Sequence, residues 1–94
     1  MTQDYLIGEV SICLQRLEAA AGDEAVNDIA RLMYEVEAGP PTVLTAVLTR
    51  ALAVADGMCW ASLERGDAHA FVCQARASAD LWQFGICARL IGDI

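Results

Sequence analysis

The chain contains no lysine, and its only histidine is His69. One chain therefore cannot supply a metal site with two histidine ligands, and no Glu-x-x-His pair supports a di-iron bundle. The sequence also lacks a Gly-x-Ser-x-Gly motif and a glycine-rich loop for a phosphate or a dinucleotide. We therefore expect a protein that is not an enzyme and that needs no cofactor.

A long apolar run is also missing. A membrane-spanning helix needs about 20 consecutive apolar residues. The longest stretch without an acidic residue, lysine or arginine runs only from Ala38 to Thr49, and Pro40 and Pro41 interrupt it. The N-terminus, Met-Thr-Gln-Asp, has neither the basic nor the apolar region of a signal peptide. We expect a soluble, cytoplasmic protein without a membrane segment.

Acidic residues outnumber basic ones and are unevenly distributed. The net charge is −7, and residues 1–41 carry eight acidic side chains against two arginines. Residues 42–94 carry five acidic side chains against four arginines. Because such a chain repels phosphate backbones, we expect no direct binding of nucleic acid. A partner protein with a basic surface is complementary to this charge, although an acidic surface also serves solubility alone.

Hydrophobic residues make up 56% of the 94 residues, and the mean hydropathy is +0.40. A chain of this length has room for one domain, spanning residues 1–94, with one core. Alanine accounts for part of the apolar content. The other apolar residues predict a homodimer, because a subunit interface resembles a core cut in half. Twofold symmetry is the commonest symmetry of protein oligomers.

Apolar residues recur at helical spacing along the whole chain. Gly22, the run Gly39-Pro40-Pro41 and the pair Gly66-Asp67 divide this pattern into four segments. We predict helices over about 4–21, 24–38, 42–65 and 68–91, with Asp23 and Asp67 as N-caps. The predicted fold is all-α and bundle-like, with two shorter acidic helices and two longer apolar ones.

The predicted fourth helix has two apolar sides, separated in part by a polar strip. Two such sides predict two neighbours, one of which belongs to a second subunit. Gly85 inside this helix predicts a close helix contact, because glycine otherwise costs helix stability. The residues predicted for the dimer interface are Phe71, Trp82, Phe84, Ile86 and Leu90.

The four cysteines, Cys13, Cys59, Cys73 and Cys87, all lie in predicted helices and form no Cys-x-x-Cys pair. One interpretation is that they are small hydrophobic residues in a reducing compartment. In the alternative, His69 and Cys73 form a weak metal or redox site. They are four residues apart on one helix face, and Asp67 or Asp80 lies near the same strip.

Trp60 falls in the polar stripe of the predicted third helix, between Asp56 and Glu64. A tryptophan in this setting is either covered by another segment or exposed for binding, and tryptophan often dominates interface energetics. These three residues are one predicted partner-binding surface. The acidic side of the second helix is the other, through Glu24, Asp28 and Glu35.

Three functional hypotheses follow. The first is a protein–protein interaction module, an acidic adaptor or inhibitor that binds a basic surface of another protein. The second is a thiol- or metal-responsive sensor that uses His69 and Cys73. The third is a dimerisation domain that organises a larger assembly.

Overall fold

The computed structural model describes residues 3–39 and 43–90, and within these ranges it contains four α-helices and no β-strand. The side chains of Gln3, Asp23 and Glu24 are not among the described parts. The predicted all-α, four-helix fold is confirmed, with two shorter helices followed by two longer ones. The helices are α1 (Gln3–Ala20), α2 (Asp23–Ala38), α3 (Leu44–Arg65) and α4 (Ala68–Cys87).

Glycine and aspartate define the helix boundaries. Gly66 follows α3 with a φ of 73°, a left-handed conformation that glycine adopts without steric cost. The Asp67 side chain then caps α4, because it accepts a hydrogen bond from the backbone N–H of Ala70 at 3.1 Å. The N-cap predicted at Asp67 is confirmed, but the N-cap predicted at Asp23 for α2 is wrong. Gly22, not Asp23, occupies the N-cap position of α2.

The last helix ends at Cys87, earlier than the predicted end near residue 91. Arg89 adopts a left-handed conformation with a φ of 59°, and the backbone N–H of Leu90 donates to the carbonyl of Gly85 at 2.9 Å. This is a Schellman type of helix ending, in which glycine usually occupies the left-handed position. Because an arginine occupies it here, the sequence offers no glycine signal for this boundary.

Consecutive helices pack side by side, and α1 also packs against α4, so the four helices form a closed bundle. The connections between helices are short, which places neighbouring helices antiparallel. The most extensive packing is between α3 and α4, while α3 also contacts α1 across the bundle. The molecule is flattened, with Cα extents of 41 × 27 × 16 Å. Such a flat shape leaves a large part of each helix on the surface.

The core is assembled from one apolar stripe per helix, as helical periodicity predicts. In α3 the buried stripe begins with large side chains and continues with alanines. In α4 the buried positions are Gln74, Ala77, Leu81 and Gly85. The burial of Gly85 agrees with the expected close contact. The largest fully buried apolar side chains are Val10, Leu14, Leu17, Ile29, Val36, Val47, Leu48 and Leu81.

Among the described helices, α3 is the one long and apolar enough to cross a membrane by length and composition, and 33% of that segment is buried inside the protein. Packing within the bundle also accounts for the apolar composition of α3. The packing of α3 against the three other helices requires apolar residues on several sides.

A buried polar link connects three helices. The Ser62 hydroxyl on α3 donates to Oε1 of Gln74 on α4 at 2.7 Å, and Nε2 of Gln74 donates to the carbonyl oxygen of Ala20 at 3.1 Å. Ala20 is the last residue of α1, where helix carbonyls have no partner within the helix. Gln74 therefore satisfies the end of α1 from the interior of the bundle.

Candidate protein-binding groove

Trp60 is exposed rather than covered: 61% of its surface is accessible. Its position follows from the helical repeat of α3, since Asp56 and Glu64 lie one turn before and one turn after it on the same exposed face. Leu63, on the next turn, is also half exposed at 50%. Two large apolar side chains therefore lie next to each other on the surface of α3.

These side chains border a groove of about 450 Å³ between α3 and α4, named here the α3–α4 groove. Its residues on α3 recur at a spacing of three and four, so they follow one side of the helix. They are Asp56, Cys59, Trp60 and Leu63. Its residues on α4 likewise follow one side of that helix and are Phe71, Ala75, Ser78, Ala79 and Trp82.

Small side chains create the space in this groove. Ala75, Ser78 and Ala79 lie along α4 between the two aromatic residues Phe71 and Trp82. The two aromatic residues are eleven positions apart, which at about 1.5 Å per residue places them about 16 Å apart along the helix axis. The groove is therefore an apolar channel that spans three helical turns, with an aromatic side chain towards each end.

The acidic residues beside the groove have no ion-pair partner among the described residues. This applies to Asp56, which lines the groove, and to Glu64, which lies one turn beyond Trp60. The nearest basic residue on the same helix, Arg65, donates instead to the Ser62 hydroxyl at 3.2 Å. Asp56 thus places an unpaired negative charge in the lining of the groove, and Glu64 places a second one on the same helix one turn beyond Trp60.

Two other arginines bind carboxylates elsewhere on the molecule. Both terminal nitrogens of Arg50 donate to the carboxylate of Glu35, which joins α3 to α2. Arg16 on α1 lies 3.8 Å from Asp80 on α4, and both side chains are exposed. Exposed pairs of this kind add little stability, but they occupy basic side chains that would otherwise compensate the acidic surface.

The second predicted partner-binding surface is less well suited to a partner. The carboxylate of Glu35 is held by Arg50 in its own chain. Asp28 is exposed and lines clefts of about 480 and 300 Å³ between α2 and α3. The larger cleft contains Arg65 and no aromatic side chain. The side chain of Glu24 lies outside the described residues, so its predicted role stays a prediction.

The residues predicted for a dimer interface divide into two groups. Phe71 and Trp82 line the α3–α4 groove, and Ile86 is half-buried on the same helix. Phe84 and Leu90 pack instead against the core of their own chain, so they contribute less surface to a second subunit. The predicted partner site at Trp60 and part of the predicted dimer site therefore share one groove.

The cysteines are not equivalent. Cys13 is buried, Cys59 and Cys73 are half-buried, and Cys87 is exposed. Burial raises the pKa of the Cys13 thiol, against the opposing effect of Arg16. Burial also raises the pKa of Cys59, and the nearby Asp56 carboxylate raises it further. A raised pKa keeps a thiol protonated and weakens it as a nucleophile or metal ligand.

His69 and Cys73 do meet on α4, with 3.9 Å between Nε2 and Sγ. No third histidine, cysteine or carboxylate joins them in a cluster that could hold a metal, within the residues that the structure describes. In particular, Asp80 is paired with Arg16. Two ligands alone do not complete a tetrahedral site.

Sequence reasoning identified Trp60, Asp56, Phe71 and Trp82 but not the groove that joins them. The small residues of α4 carry a signal that was overlooked: alanine and serine at a spacing of three and four between two aromatic positions. Gln74 was also missed, because its partner Ala20 lies on a distant helix.

Comparison of the chain with known proteins finds no matching family model, no similar curated protein and no similar solved structure. Function is therefore inferred from the residues of the groove themselves.

Proposed function

We propose that this protein is a non-enzymatic interaction module that binds a basic surface of a partner protein through the α3–α4 groove. The observation that carries the proposal is the exposure of Trp60 at the edge of that groove, with 61% of its surface accessible. A tryptophan beside an apolar groove is typical of binding hot spots, because it buries a large area when a partner covers it.

The charge around the groove supports a basic partner. Asp56 and Glu64 have no ion-pair partner among the described residues, and the whole chain carries a net charge of −7. Opposite charges accelerate encounter and suppress wrong partners, while the apolar groove supplies most of the affinity. An adaptor or an inhibitor that occludes a basic site on its target would act in this way, in the cytoplasm.

A second copy of the chain is a competing occupant. Phe71 and Trp82 line the groove, so a homodimer formed through them would cover the partner site. In this proposal self-association and partner binding exclude each other. The protein acts as a monomer when the partner is bound, and a dimer would be the partner-free form.

Photo-crosslinking in cells tests the proposal. A photoreactive amino acid replaces Val72, which follows Phe71 on α4 and is 48% exposed, and the matched control replaces Tyr34 on α2, which is 70% exposed. We expect adducts with a basic protein at position 72, none at position 34, and loss of these adducts when Trp60→Ala is added.

Four outcomes would contradict the proposal: adducts only with a second copy, adducts only with lipid, equal adducts at both positions, or adducts that persist in the Trp60→Ala background. Substituting two acidic residues at a time with their neutral amides then identifies which acidic surface binds the partner. Asp56→Asn with Glu64→Gln should weaken capture of the partner. Asp28→Asn with Glu37→Gln, which changes the net charge equally, should not.

A further inference from the structure

We infer that the segment bound in the α3–α4 groove is a basic amphipathic α-helix of about three turns. This inference rests on the proposed function and specifies the partner segment. It follows from three properties: the length of the groove, the absence of free backbone N–H and C=O groups in its helical walls, and the spacing along α3 between Asp56, which lines the groove, and Glu64.

The length of the groove matches a short helix. Phe71 and Trp82 are separated by about 16 Å along α4, and three turns of an α-helix rise by about 16 Å. Between them the small side chains of Ala75 and Ala79 leave space for large apolar side chains from the partner. Such side chains at positions i, i+3 or i+4, and i+7 of a partner helix would face the groove together.

The chemistry of the groove favours a helix over an extended segment. Both walls are α-helices, whose backbone hydrogen bonds are made internally, and the described residues contain no strand to pair with. An extended segment would bury N–H and C=O groups without partners, which is unfavourable because each group loses its hydrogen bonds to water. A helix satisfies its own backbone and presents only side chains to the groove.

The two carboxylates predict where the basic residues of the partner lie. Asp56 and Glu64 are eight residues apart, which is about 12 Å along α3. On a partner helix lying along the groove, arginine or lysine residues seven or eight positions apart span a similar distance and lie on one side. The expected segment therefore has an apolar stripe flanked on one side by two basic residues about two turns apart.

A second copy of this chain does not provide such a segment from its described helices. Arg16, Arg31 and Arg76 are the only arginines of α1, α2 and α4, and these helices contain no lysine. The two arginines of α3, Arg50 and Arg65, are fifteen residues apart and are bonded within their own chain. Charge complementarity thus favours another protein over self-association.

Peptide selection from a displayed library tests the inference. The library contains random linear peptides of about 16 residues, long enough for three helical turns and their flanks. Peptides are selected on the wild-type protein alone, so that the effect of Trp60→Ala on their affinity is measured and not imposed by the selection. We expect apolar residues at a spacing of three and four, and basic residues seven or eight positions apart. Proline at the centre of the best peptide should lower its affinity at least about tenfold, because proline disrupts a helix interior.

The charge requirement is measured with the same peptide. Asp56→Asn with Glu64→Gln should reduce the affinity about threefold to tenfold at low salt and flatten its salt dependence. Asp28→Asn with Glu37→Gln is the matched control and should change the affinity less than about twofold, because these acids lie on α2.

The outcomes separate this inference from the proposed function. Selected peptides with alternating apolar residues, or with unchanged affinity after the central proline, would overturn the helical segment and leave the groove as a binding site. Affinity unaffected by neutralisation of Asp56 and Glu64 would overturn the basic character. If no peptide distinguishes the wild type from Trp60→Ala, both the inference and the proposed function are wrong.

Discussion

Trp60 on α3 and Trp82 on α4 line the same groove, and they are exposed to different degrees. Trp60 is largely accessible, whereas Trp82 is half-buried by residues of its own chain. The first is thus free to contact a partner, while the second also contributes to the packing of the chain. Because of this difference, a substitution at Trp60 should affect partner binding alone, whereas one at Trp82 should also lower the free energy of unfolding.

Trp60→Ala should change the free energy of unfolding by less than about 0.5 kcal/mol, as exposed substitutions usually do. Trp82→Ala removes half-buried contacts and should cost about 1–3 kcal/mol. Urea denaturation followed by far-ultraviolet circular dichroism measures both, with Tyr34→Ala as the exposed aromatic control. Equal destabilisation by the two tryptophan substitutions would show that Trp60 is covered in solution.

Gln74→Leu should destabilise the fold by about 1–3 kcal/mol, because it leaves the Ser62 hydroxyl and the Ala20 carbonyl without their partner. The matched control is Gln83→Leu, the same substitution at an exposed position of α4. Adding Ser62→Ala to Gln74→Leu should cost less than the sum of the single effects, since the two side chains interact. Additive effects would argue against the buried link.

Much of the fold was predictable because it depends on local signals. The helical period of the apolar residues places four helices, and the pair Gly66-Asp67 ends one helix and caps the next. The spacing of Ala75 and Ser78 shows that they share one side of α4, but it does not show what that side faces. Whether they line a groove or pack in the core depends on how α4 is rotated against α3, which is a property of the assembled bundle.

Arg89→Gly should stabilise the protein by about 0.5–1 kcal/mol, because Arg89 occupies a left-handed conformation that costs a non-glycine residue energy. Arg76→Gly is the matched control. It places glycine in the exposed interior of α4 and should destabilise by about 1 kcal/mol. Thermal or urea unfolding measures both, and effects of the same sign would contradict the described end of α4.

The thiols should react at very different rates. Timed alkylation of the native protein at about pH 8, with adducts assigned by mass spectrometry, should modify exposed Cys87 first and buried Cys13 last. Because burial raises the pKa of Cys13 above the ordinary 9.0, its thiolate fraction at this pH is lower than that of a free thiol. Rapid modification of Cys13 without unfolding would contradict its buried position.

The affinity of the selected basic helical peptide, measured by isothermal titration calorimetry, tests the central claim most directly. Trp60→Ala should weaken binding about thirtyfold or more, as expected for a tryptophan hot spot. Tyr34→Ala, which removes an exposed aromatic side chain from α2, should leave the affinity unchanged. Equal affinities for the wild type and Trp60→Ala would contradict the claim that this groove binds the partner.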